Sequence, residues 1–205
     1  MKTLFIDLAS HSGLLACATE KQVVASDAID HRIDDAVLLP HVEGVLSKAG
    51  WSYADLTQIA CVIGPGGFTS LRVAVALTNA LSHELNIPSC GIHLSDVYAT
   101  RSAESTSSPL TWLHSTKKHE LFLREFGAND QDAPETRCVT VDELRTILQK
   151  GMLWTGELIP EHRAMVDEAG VAELPLRPLE EVLPELLQKQ EYTQQILMPW
   201  YGRGW

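Results

Sequence analysis

Hydrophobic positions in the first hundred residues follow an ordered series of strand and helix patterns. Three short segments rich in strand-forming residues, each separated from the next by a few polar residues, predict an antiparallel meander. A helical pattern comes next, and then a continuous apolar run typical of a central buried strand. A long helix rich in alanine and leucine, another strand and a last helix complete the series. In chain order these predicted elements span residues 3–9, 13–19, 21–29, 34–49, 57–64, 68–85, 87–92 and 94–103.

The second half of the chain has a weaker pattern, which begins after a stretch of small polar residues at 102–109. This stretch predicts a domain boundary, so we expect one domain at residues 1–104 and another at 105–205. Two strands that pair around a short turn are expected at 110–115 and 119–126. A further strand, a helix, a short buried strand and several short helices are expected to follow.

Composition and charge narrow the classes of function. The chain has 205 residues, of which 45% are hydrophobic, and a net charge of −11 from 16 basic and 27 acidic residues. Tight nucleic-acid binding requires clustered Lys and Arg, so direct and independent binding of RNA or DNA is disfavoured. The N-terminus lacks the features of a signal peptide, and no run of about 20 apolar residues occurs, so we expect a cytoplasmic protein without a membrane segment. The four cysteines contain no C-x-x-C pair, which favours buried free thiols over disulfides or a zinc site.

The segment GPGGFTSLR, residues 64–72, joins the central strand to the long helix. It has no lysine and lacks the spacing of a Walker A loop, and the third glycine of a dinucleotide fingerprint falls on Thr69. A strand, a sharp turn and a helix N-terminus remain, which can hold an anion. The alternative is that Gly64, Gly66 and Gly67 only allow unusual backbone angles and close packing. Spacing alone leaves both interpretations open.

The order of the elements resembles one half of the actin, hexokinase and sugar-kinase (ASKHA) fold. This resemblance implies an α/β protein of two lobes, each with a mixed sheet flanked by helices, the second lobe being reduced and divergent. In that fold an aspartate and small hydroxylated residues of the first hairpin surround phosphate and metal. Asp7 and Ser10 of DLASHSG match these positions, whereas Leu8 departs from them. With Gly66 and Gly67, they are the candidate nucleotide-binding residues.

No further chemistry stands out among the remaining residues. The sequence contains no pair of histidines with the spacing of a metal site and no G-x-S-x-G nucleophile elbow. We therefore assign no catalytic residue and no metal ligand.

The same glycine-rich segment resembles the G-P-G-S-F-T-G-[LIV]-R signature of the bacterial TsaB (YeaZ) family. Within residues 64–72 only Gly67 and Ser70 differ from it. LFIDLAS resembles the opening strand of that family, and PWYGR at 199–203 resembles its closing P-x-Y-L-R. In the second half the family's D-[AT]-R motif is replaced by STK, so that Ser115 stands where the aspartate is expected.

The resemblance implies a function in the biosynthesis of threonylcarbamoyladenosine in tRNA. TsaB proteins are non-catalytic relatives of TsaD, which transfers a threonylcarbamoyl group to the adenosine beside the anticodon. We therefore expect a scaffold and activator subunit that pairs with a TsaD-like subunit and a TsaE-like ATPase, and that also forms homodimers. No catalytic activity alone and no cofactor of its own are expected. ATP and Mg²⁺ would act through the complex, and tRNA would be contacted only indirectly.

The partner surface implied by the family maps to the first two helices, at about 34–49 and 68–85. The second helix is apolar on most sides, which allows one face to meet the sheet and another to meet a partner. The alternative is complete burial within one subunit. The predicted contact residues are Val37, Leu38, Phe68, Leu71, Arg72, Val75 and Asn79.

Two other functions compete with the scaffold. The first is a homodimeric, ATP-binding phosphotransferase-like protein of the same superfamily, in which Asp7 would contact phosphate. The second is a metallopeptidase, against which the absence of a ligand-spaced histidine pair argues.

Overall fold

The computed structural model describes residues 1–30, 35–102, 110–126 and 135–202, which form two compact units. The first unit combines Met1–Leu94 with Pro178–Tyr201, and the second consists mainly of Ser95–Arg177. This division differs from the predicted one, because the C-terminal segment returns to the N-terminal unit. Most of the predicted boundary stretch, residues 103–109, lies outside the described part of the chain.

The first unit is built on a five-stranded mixed sheet in the order β3-β2-β1-β4-β5. Strand β1 lies at the centre, antiparallel to β2 and parallel to β4, and all five of its residues are buried. The predicted order of strands and helices is confirmed in this unit. The elements are β1 (Thr3–Asp7), β2 (Ser12–Ala18), β3 (Val23–Asp30), α1 (Asp35–Lys48), β4 (Gln58–Gly64), α2 (Phe68–Leu85) and β5 (Ser89–His93). The next helix, α3 (Leu94–Ser102), belongs to the second unit except for Leu94.

Helices α1 and α2 both end at residues suited to a left-handed conformation. Gly50, with φ +70°, terminates α1, and the amide of Trp51 then donates to the carbonyl of Leu46 at 2.9 Å. Asn86, with φ 51°, terminates α2. A core of leucine, isoleucine, valine and cysteine side chains fills the space between these helices and the sheet. This core fixes which face of each helix is buried.

The second unit repeats the same topology with shorter helices. Its mixed sheet has the order β10-β9-β6-β7-β8, so a meander is again followed by two parallel strands. The elements are β6 (Leu110–Ser115), β7 (Glu120–Phe126), β8 (Arg137–Thr140), α4 (Val141–Ile147), β9 (Leu153–Glu157), α5 (Pro160–Glu168) and β10 (Ala172–Glu173). A last helix, α6 (Leu179–Gln188), belongs to the first unit.

Together the two units form the ASKHA-type actin-like fold that the order of elements predicts. Among the described helices, none combines the length and apolar character needed to cross a bilayer.

Candidate functional site

The glycine-rich loop packs directly against the first hairpin. A Cβ added to Gly66 would lie 2.8 Å from both the Cα and the carbonyl oxygen of Ala9, too close for any side chain. At Gly64, where φ is +133°, a Cβ would collide with the carbonyl oxygen of Trp200. Gly67, in contrast, is exposed and has ordinary space around it. The structure therefore shows the expected close packing at Gly64 and Gly66, and anion binding by this loop stays a prediction.

Asp7 organises the hairpin loop that Gly66 contacts. Its carboxylate is 1% exposed, and Oδ1 accepts hydrogen bonds from the amides of Ala9 at 2.9 Å and Ser10 at 3.1 Å. The Ser10 hydroxyl donates to Oδ2. These donors offset the cost of burying the carboxylate. The structure thus brings Asp7, Ser10 and Gly66 together as the sequence predicts, and nucleotide binding by them stays a prediction.

Five of the seven predicted partner-contact residues divide into a buried set and an exposed set. Leu38, Leu71 and Val75 are 2%, 0% and 3% exposed and belong to the interior of their own unit. They are corrected here from surface to core positions, because the helix period turns them toward the sheet. Val37 and Phe68 are 42% and 56% exposed and do lie at the surface.

The exposed side of α2 includes a line of residues that begins with an aromatic side chain and one positive charge. Phe68, Arg72, Ala76 and Ala80 are all exposed and follow each other at four-residue intervals. The guanidinium carbon of Arg72 lies 5.2 Å from the centroid of the Phe68 ring. The small side chains of Ala76 and Ala80 leave the helix backbone open to close approach.

Asn79 has a different role from the predicted one, because its side chain holds the C-terminal segment. Its Nδ2 donates to the carbonyl of Leu197 at 3.0 Å, and its Oδ1 accepts from the amide of Leu197 at 2.9 Å. Further along, the amide of Trp200 donates to the carbonyl of Ile63 at 2.8 Å. The ring of Tyr201 stacks on that of Phe68 with 5.1 Å between centroids.

These contacts place the C-terminal segment alongside α2 in the opposite direction. Eleven residues of helix separate Phe68 from Asn79, about 16 Å, and the four residues from Leu197 to Tyr201 span about 13 Å. The two residues on either side of Leu197 expose apolar side chains, with Ile196 78% and Met198 73% exposed. We call the exposed line on α2 together with this segment the α2/C-terminal surface. Its residues are Phe68, Arg72, Ala76, Ala80, Ile196 and Met198.

The second unit contains a buried pair that the sequence analysis did not identify. Ser115, at the position of the family's aspartate, has its Oγ 2.7 Å from Nδ1 of His162. Nε2 of His162 lies 3.0 Å from the carbonyl of Lys118, so in a neutral imidazole Nε2 donates there and Nδ1 accepts from the hydroxyl. Both side chains are at most 2% exposed. The pair therefore ties α5 to the β6–β7 turn, and its 47-residue separation gave no signal in the sequence.

Comparison with known proteins identifies similar families. Residues 28–167 match the family model described as TsaD: tRNA N6-adenosine threonylcarbamoyltransferase. The chain is 32% identical to the Bacillus subtilis enzyme of that name over 110 residues, 52% of this chain and 31% of the relative. It is 24% identical to the B. subtilis tRNA threonylcarbamoyladenosine biosynthesis protein TsaB over 174 residues, 82% of this chain and 76% of the relative. The match thus spans about a third of the TsaD enzyme and about three quarters of TsaB.

A solved structure from Pseudomonas aeruginosa shares the fold. It is described as an uncharacterized protein with similarity to peptidase YeaZ, and it superposes with a TM-score of 0.76 at 17% identity. The superposition covers 98% of this chain and 99% of that one.

Proposed function

Because this chain belongs to the TsaD family of tRNA N6-adenosine threonylcarbamoyltransferases, and within it to the TsaB (YeaZ) proteins, we propose that it is the non-catalytic partner subunit of that modification system. Its family connects it with the biosynthesis of threonylcarbamoyladenosine in tRNA. In this proposal it pairs with a TsaD-like catalytic subunit and supports threonylcarbamoyl transfer to the adenosine beside the anticodon. A TsaE-like ATPase joins the pair, and the same surface serves a homodimer when the partner is absent. A cytoplasmic location is part of the proposal.

The α2/C-terminal surface is the observation that carries this proposal. It contains the three most exposed large hydrophobic side chains of the described residues, Ile196, Met198 and Phe68. Exposed apolar groups concentrated on one part of a surface mark sites of protein–protein contact. The flanking Ala76 and Ala80 let a partner helix approach closely, and Arg72 supplies one charged contact at the edge.

The net charge of the chain and the contacts of Asp7 support the proposal that the partner subunits, rather than this chain, bind tRNA and ATP. A net charge of −11 is unfavourable for contact with the phosphate backbone of tRNA, so the substrate is held mainly by the partner. The buried carboxylate of Asp7 is engaged by donors of its own loop, which gives it a structural task in this chain. ATP and Mg²⁺ act through the other subunits.

A single substitution on α2 tests the proposal. Ala76→Glu places a charge in the centre of the proposed surface at an exposed helical position, where glutamate is compatible with the fold. Ala54→Glu is the matched control, since Ala54 is exposed in the 3₁₀ turn at Tyr53–Asp55 and lies outside the surface. The buried Val75 is unsuitable, because a carboxylate there would disrupt the core.

Pairing and activity are then measured with the cognate TsaD-like protein. We expect the unmodified chain and Ala54→Glu to co-purify with it and to support tRNA modification in vitro, and Ala76→Glu to lose both properties while its thermal unfolding stays unchanged. Modification that proceeds equally well without this chain would refute the scaffold function. Retained pairing by folded Ala76→Glu would place the partner surface elsewhere.

A further inference from the structure

A groove of about 430 Å³ lies at the C-terminal end of α1, and none of its lining residues belongs to the α2/C-terminal surface. The turn at Gly50 creates it, because the hydrogen bond from the Trp51 amide to the Leu46 carbonyl reverses the chain beside the last helical turns. The turn brings the indole of Trp51 and the phenol of Tyr53 to the same groove as the carboxylate of Glu43.

The groove has an electronegative character. Glu43 is exposed at its edge, and the end of α1 adds the partial negative charge of a helix C-terminus. The hydroxyl of Tyr53 is buried and has no hydrogen-bond partner among the described residues. Its pKa is raised, first by burial and then by the negative charge of Glu43. The carboxylate of Glu43 is therefore the group of this groove that an incoming cation would meet.

The indole of Trp51 already attracts a cation of its own chain. The Nζ of Lys2 lies 5.2 Å from the centroid of a Trp51 ring. The charge of Lys2 is paired with Asp55, whose Oδ1 is 2.8 Å away. Lys2 is not among the residues that line the groove, so it leaves the carboxylate of Glu43 for a second positive group.

We propose that this groove binds an arginine side chain presented by a polypeptide partner. A guanidinium is planar, so it can stack on an indole while its edge donates two hydrogen bonds to a carboxylate. The compact ammonium of lysine matches this combination less well. The groove opens to solvent beside exposed Ser47 and Ser52, which suits a side chain that projects from another backbone rather than an enclosed small molecule. A chain with net charge −11 also attracts basic segments over longer distances.

The test uses the indole N–H resonance of Trp51 in the full chain, assigned with a Trp51→Phe variant. The probe is the peptide Ac-Gly-Arg-Gly-NH₂, and its citrulline analogue is the neutral control of the same shape. We expect a saturable shift with the arginine peptide that the citrulline peptide does not produce. Glu43→Gln should weaken binding about fivefold, the upper effect of one partly exposed ion pair.

The controls separate the proposal from general attraction between opposite charges. Glu84→Gln removes an equal charge from an exposed position on α2 and should leave the affinity unchanged. Equal weakening by Glu43→Gln and Glu84→Gln would overturn the proposal, as would an identical shift with the citrulline peptide. Equal affinity for the lysine peptide would contradict the preference for arginine. Binding of free methylguanidinium as tight as that of the peptide would contradict a polypeptide source.

Discussion

Asn79→Ala provides the most direct test of how the C-terminal segment is held. The substitution removes both hydrogen bonds between the Asn79 side chain and the backbone of Leu197, at 3.0 and 2.9 Å. Each such bond contributes about 1 kcal/mol net, so the loss is about 2 kcal/mol. Alanine is the stronger helix former, so α2 itself is not weakened. We therefore expect the cost to fall on docking of the segment.

Amide hydrogen exchange measures that cost in the native state. The Trp200 amide is the informative probe, because its own acceptor, the Ile63 carbonyl, is untouched by the substitution. If the segment opens as one unit, 2 kcal/mol corresponds to about 30-fold faster exchange at Trp200. His83→Ala, at an exposed position of the same helix, is the control and should leave this rate unchanged. Faster exchange at Leu197 alone, with Trp200 unaffected, would refute the cooperative docking inferred from the contacts.

Three further predictions follow from the same structure. Gly66→Ala should lower the free energy of unfolding, measured in urea, by about 1–3 kcal/mol, because its Cβ would lie 2.8 Å from Ala9 backbone atoms. Gly67→Ser, at an open position, should be tolerated, and an equal loss of stability in both variants would contradict the packing argument. The pKa of Asp27 is lowered by hydrogen bonds from His41 and then Lys48, so its contribution to folding stability is complete above the usual aspartate value near 3.9 and is lost as pH falls through the lowered pKa. The difference in unfolding free energy between the unmodified chain and Asp27→Asn should therefore shrink in acid, and a difference independent of pH would count against this reasoning. Burial raises the pKa of Cys17 to about 11 and of Cys61 and Cys90 to about 12, whereas the thiol of Cys138 is only half-buried. Ellman's reagent at pH 8 should therefore modify Cys138 first and the other three thiols only on unfolding, and early reaction of a buried thiol would contradict this order.

Local patterns predicted the elements of the first unit closely. The bounds of α2, Phe68–Leu85, are those expected from the sequence, because the glycines before it and Asn86 after it are local start and stop signals. The interior strand β4 was recognisable from its continuous apolar run, since a strand covered on both faces needs no polar alternation. The glycine-rich segment also identified the family.

The orientation of α2 was harder to predict. Its sequence is apolar on most sides, so the helix period alone did not separate the buried Leu71 and Val75 from the exposed Phe68. Asn79 was likewise predicted as a partner contact, whereas its partner is Leu197, 118 residues away along the chain. These assignments depend on which surface the sheet and the C-terminal segment cover.

The sequence by itself determined the strands and helices of residues 3–102 and the family, because caps, turns and hydrophobic period act over a few neighbouring residues, whereas the short strand β10 at Ala172–Glu173 was not predicted. Only the tertiary structure decided that Pro178–Tyr201 returns to the first unit, that Gly66 must lack a side chain against Ala9, and that Trp51, Tyr53 and Glu43 share a groove. The return of the C-terminal segment and the Gly66–Ala9 contact join residues far apart in the chain, and the groove needs the reversal of the chain at Gly50. Packing of the whole molecule supplies such contacts, and no local pattern encodes them.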